Sequence, residues 1–90
     1  MLLDVFSVRD SRTDIFNKPF YAVSHGDAER SFIKMIQDDR SIINQFPEDF
    51  DLYYLGKYDD ERGVFEGLDT PQHMSKAVKF VDSPPVGDKH

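Results

Sequence analysis

The side chains best suited to chemistry in this sequence are three histidines, an acidic run, and a set of tyrosines with basic neighbours. His25, His73 and His90 lie far apart in the chain, and none has a metal-ligand spacing. Asp59-Asp60-Glu61 looks like the start of a calcium loop. However, Gly63 stands at the wrong offset and no Glu follows at the bidentate position. An acidic turn is the simpler reading. There is no glycine-rich phosphate loop and no GxSxG elbow. The absence of Cys removes thiolate zinc ligands and cysteine nucleophiles. With no nucleophile, paired base or metal cluster in view, an enzyme is the least supported class, and no cofactor or metal is expected.

The aromatic-basic set is more informative. Arg9, Arg12 and Lys18 gather around the exit of the first strand. Arg30 and Lys34 share one face of a helix. Tyr53, Tyr54 and Tyr58 lie on a strand, where alternation places Tyr54 with Tyr58 and Tyr53 opposite. Cations contact phosphates and rings stack on bases, so the set fits single-strand binding. A plainer reading stands beside it. Strand tyrosines usually pack a half-buried surface, and Arg30 with Lys34 usually forms a solvated helix face.

The elements that position these residues follow from pattern. Leu2 to Arg9 has apolar residues on both alternating faces, as a central strand does. Asp10 to Lys18 is polar and reads as a loop. A short strand begins after Pro19 with Phe20 to Val23. Ser24 caps a helix whose stripe is Ala28, Phe32, Met35 and Ile36. Asp38-Asp39 opposes the helix dipole and ends it. Ser41 to Phe46 adds a helical turn stopped by Pro47. Asp51 to Tyr58 and Val64 to Leu68 form a hairpin around a turn at Gly63. Thr70-Pro71 opens a segment with Met74, Ala77 and Val78 in a helical turn; the alternative is a last strand over Ala77 to Val81. The expected fold is α+β: a small, mainly antiparallel sheet with one main helix on one face, a single domain over 1–82, and a flexible tail over 83–90.

Composition sets the outer limits. Ninety residues make one modest domain. A secreted domain of this size usually carries disulfides, so a reducing cytoplasm is expected. Met1 to Asp10 has no basic leader region, and no apolar run is long enough for a membrane span. The formal charge of −6 argues against a simple nucleic-acid binder, although charge distribution matters more than the sum. The open edges of so small a sheet also invite strand addition, for example in a homodimer.

Several stretches carry a family likeness. They are Asp10-Ser11-Arg12, Pro19-Phe20, the run Gly26-Asp27-Ala28-Glu29-Arg30-Ser31-Phe32, and above all the block from Phe46-Pro47-Glu48-Asp49-Phe50 through Leu52, Leu55 and Gly56 to Tyr58-Asp59. In these the chain resembles the small non-structural protein of gokushovirus-type microviruses, which are single-stranded DNA phages. The likeness covers nearly the whole chain except its tail. It implies a DNA-binding accessory protein that acts in single-stranded genome synthesis and packaging in the host cytoplasm. It brings no established active-site residues. The implied partners are single-stranded DNA, the replication initiator or the procapsid. Arg9, Arg12, Lys18, Arg30 and Lys34 are then the expected phosphate contacts, and Tyr53, Tyr54 or Tyr58 the stacking platform. The rival expectation is an acidic protein–protein adaptor that never touches DNA. A weaker third is an acidic mimic of DNA.

Overall fold

The computed structural model describes residues 1–82; the expected tail, 83–90, lies outside them. The architecture is α+β, an antiparallel sheet with one main helix on one face. In chain order the strands are β1 (Leu2–Asp10), β2 (Ile15–Phe16), β3 (Phe20–Ala22), β4 (Phe50–Asp59) and β5 (Val64–Lys76). Helix α1 (His25–Gln37) and the single turn α2 (Ile42–Gln45) lie between β3 and β4. Short 3-10 turns cover Pro47–Asp49 and Ala77–Phe80.

Strand β1 is central, as its two apolar faces require. It pairs with β4 along one side and with β2 and β3 along the other, always antiparallel, and β5 completes the far edge. Helix α1 forms where the cap and stripe predict. The Ser24 hydroxyl accepts from the Asp27 backbone N–H at 3.1 Å, and Asp38 closes the C-terminal end. Ala28, Phe32 and Ile36 pack on Phe6, Val8, Phe50, Leu52 and Tyr54 of β1 and β4. That contact is the core, and it fixes which face of the sheet the helix covers. Ala77 and Phe80 of the last 3-10 turn close one end of it.

Three details depart from expectation. The loop after β1 contains the two-residue strand β2, because Ile15 and Phe16 reach the free edge of β1 beside Arg9 and Asp10. Strand β5 runs on to Lys76 instead of stopping at Leu68. Pro71 is tolerated there because β5 is an edge strand. Around it the pairing jumps from Gly67 opposite Gly56 to Gln72 opposite Tyr54, so extra residues loop out of register. Ala77–Phe80 is a 3-10 turn, so the helical reading of that segment holds for Ala77 and Val78, while Met74 belongs to β5.

Candidate nucleic-acid interface

A β-bulge decides where the tyrosines point. Val5 pairs with Gly56 and Phe6 pairs with Tyr54, which leaves Leu55 as an extra residue on β4. One extra residue shifts the alternation by one. Before the bulge, Phe50, Leu52 and Tyr54 face the helix. After it, Tyr58 pairs with Leu3, on the same face of β1 as Val5 and Ser7, and Ser7 pairs with Tyr53. Tyr53 and Tyr58 therefore share the face away from the helix. The expected partnership of Tyr54 with Tyr58 is corrected: Tyr54 is only 8% exposed, inside the core.

The helix-free face carries two ring clusters. Tyr53 meets Phe16 at 5.2 Å and His73 at 5.3 Å between ring centroids. Tyr58 meets Tyr21 at 5.6 Å and Phe65 at 4.7 Å. Phe16, Tyr21 and Phe65 are substantially exposed. Sequence reading overlooked Phe16, Tyr21, Phe65 and His73, because their place on this face depends on strand pairing across the sheet. Beside the second cluster is a pocket of about 200 Å³, lined by Val5, Pro19, Leu55, Gly56, Lys57, Phe65 and Gly67. Its floor is the close approach of β4 and β5 at Gly56, whose φ of 141° only glycine adopts readily.

Tyr54 has a different role. Its hydroxyl donates to Asp4 at 3.1 Å, and the Lys57 ammonium donates to the same oxygen at 2.8 Å. Burial alone pushes the Asp4 pKa up, but hydrogen bonds from Lys57 and Tyr54 outweigh it and hold the group below its ordinary value. Burial, then the bond to Asp4, raises the Tyr54 pKa, and the bond to Asp4 raises that of Lys57. Among the described residues no buried side-chain nitrogen or oxygen lacks a partner, so this network is fully satisfied.

The five basic residues are not gathered into one patch. Arg9 projects on the tyrosine face, where it pairs with Asp14. Arg12 sits at the end of the sheet, 3.5 Å from Asp10 and 3.4 Å from Asp49, with its guanidinium 5.2 Å from the centre of the Phe46 ring. It clamps the turn after β1 to the 3-10 turn before β4. Lys18 is exposed beside Pro19 of the pocket, and no ion pair engages it among the described residues. Arg30 and Lys34 are exposed on α1, across the sheet from the rings, and Arg30 is bonded to Asp27 at 3.0 Å. The layout thus separates Arg30 and Lys34 from Tyr53 and Tyr58, while Arg9 shares their face and Lys18 adjoins Pro19 of the pocket.

His25 and His73 do not converge. His25 opens α1 with its ring 4.5 Å from Tyr54 and 5.3 Å from Phe6, and His73 bonds Asp51 at 3.0 Å. His90 lies outside the described residues. Among those residues no group of His, Asp or Glu is placed to hold a metal ion, and no helix is long and apolar enough to cross a membrane. Asp59 accepts from the backbone N–H groups of Glu61 and Arg62, so its carboxylate shapes the hairpin turn.

Comparison with known proteins places the chain. The family model described as "Phage ORF5 protein" matches residues 3–80. A curated relative, "Protein ORF5" of Chlamydia phage 1, is 38% identical over 37 residues, a stretch that spans 41% of this chain and 38% of the relative. No solved structure matches the chain. The match runs from β1 through the last 3-10 turn, and so takes in the helix, the core and the ring-bearing face together: the chain belongs to the Phage ORF5 protein family and is a small phage protein of the microvirus type.

Proposed function

We propose that this phage accessory protein is non-enzymatic and engages single-stranded DNA in the host cytoplasm during viral genome synthesis and packaging, using the helix-free face of its sheet. One observation carries the reading: Phe16, Tyr53 and His73, with Tyr21, Tyr58 and Phe65, form two ring clusters on a face that no helix among the described residues covers. Rings presented on an open sheet are stacking platforms for unpaired bases. Arg9 on that face, on exchanging its Asp14 partner, and the exposed Lys18 next to Pro19 supply the cations for phosphate. Arg12, Arg30 and Lys34, set apart from the rings, are assigned structural or solvating roles. The test is fluorescence anisotropy of a labelled single-stranded oligonucleotide at low and moderate salt. Saturable binding that weakens with salt supports the reading. An unchanged anisotropy at low salt overturns it.

A protein–protein adaptor is the second reading. Its support is the net charge of −6 together with the exposed apolar residues Val64, Phe65 and Leu68 on the edge strand β5. An adaptor of this kind docks on the replication initiator, the procapsid or a second copy of the chain. Capture of the initiator or procapsid protein that survives nuclease treatment, without oligonucleotide binding, supports this reading over the first.

A further inference from the structure

We propose that the pocket between β1, β4 and β5 takes one nucleobase of single-stranded DNA and holds it by shape and ring contact. The inference rests on the single-strand reading and adds a specific seat to it. An apolar cavity of ~150 Å³ accommodates benzene, so the 200 Å³ here suits one planar ring system. Its walls are the apolar side chains of Val5, Pro19, Leu55 and Phe65. Phe65 also contacts the Tyr58 ring, so a seated base has a stacking neighbour at hand. Lys57 is the one side chain of the lining with a polar head, and its ammonium is bonded to Asp4. The lining therefore holds no side-chain fork to read a base edge, and the seat tolerates sequence. Lys18, exposed and without an ion pair among the described residues, precedes Pro19 just outside the lining, and it is the cation assigned to the phosphate of the seated nucleotide. That cation favours a nucleotide over an apolar protein side chain as the occupant.

The two floor glycines differ in a telling way. A Cβ at Gly56 would run into the backbone of Glu66 and Gly67, so the fold itself demands glycine there. A Cβ at Gly67 would meet only the Leu55 carbonyl oxygen, at 3.9 Å, an ordinary contact. Gly67 pairs with Gly56, which pairs with Val5, so a side chain at 67 would rise from the helix-free face into the pocket. The missing side chain at 67 keeps the seat open without being needed for the fold.

Gly67→Leu is the test, read by anisotropy of a labelled thymidine oligonucleotide with the parent chain in parallel. The expected result is an affinity about ten-fold weaker, the size of one lost base-stacking contact. The slope of affinity against salt should stay the same, because no cation is removed. Gly67→Ala, which places only a methyl group in the pocket, should give a smaller loss in the same direction, and it keeps the test open if the leucine variant fails to fold. If the parent binds and both folded variants bind equally well, the nucleobase seat is overturned while the single-strand reading stands. A ten-fold loss with a shallower salt slope also overturns the seat, since the lost contact would be electrostatic. If the parent does not bind at all, the single-strand reading falls and takes the seat with it.

Discussion

The backbone carbonyl of Glu66 occupies the space that a Cβ on Gly56 would need, and the Cα of Gly67 stands 2.8 Å from the same point. Two strands approach here more closely than side chains allow, at the bulge that turns Tyr58 away from the core. Gly56→Ala combines a clash against backbone with a φ of 141° that L residues avoid. It should cost about 3 kcal/mol. Urea denaturation should show the midpoint of Gly56→Ala falling steeply while that of Gly67→Ala hardly moves. Equal midpoints would refute the close-approach argument.

The Asp4 network makes stability depend on acid. Asp4 titrates below its ordinary 3.8 in the folded chain. Its contribution is therefore complete above 3.8 and is lost as pH falls through the lowered folded value. Asp4→Asn should cost about 1–2 kcal/mol at neutral pH and flatten the acid limb of the stability profile. Thermal melts of both proteins from pH 7 to pH 2 measure this. An acid limb of undiminished slope in Asp4→Asn would assign the dependence to other carboxylates.

Ser24 closes the first turn of α1 by accepting from Asp27. Ser24→Ala should lower stability by about 1 kcal/mol. Circular dichroism melts give the value, and no change would mean that solvent or Asp27 itself satisfies the turn.

The division between the two faces makes its own prediction about DNA. Tyr58→Ala should weaken oligonucleotide binding about ten-fold. The double reversal Arg30→Glu with Lys34→Glu should leave affinity nearly unchanged at moderate salt, because the helix lies across the sheet and screening is strong beyond ~10 Å. If the reversal abolishes binding and Tyr58→Ala does not, DNA lies on the helix side.

Much of this arrangement was legible in the residues. Ser24, the stripe from Ala28 to Ile36 and the Gly63 turn are local signals, and each element formed where its signal stood. The two apolar faces of β1 announced a central strand. The orientation of Tyr58 was hidden, because it depends on how β4 lies against β1 some fifty residues earlier, and the bulge belongs to that pairing. Pro71 disguised the length of β5, since a proline in a strand is acceptable only at an edge, and edges are a property of the whole sheet. Tyr54 looked like its neighbours in the sequence, yet a buried partner at Asp4 claims its hydroxyl.

The central place of β1 also bears on how the chain assembles. Asp4 and Tyr54, bonded across the sheet, are 50 positions apart. During synthesis the first strand leaves the ribosome well before β4, its longest neighbour, has been made. Until then only the short β2 and β3 are available to shield it. Closing such a distant pairing is slow compared with forming a helix. Until β4 is made, the nascent chain thus carries an apolar, aggregation-prone strand without its main partner.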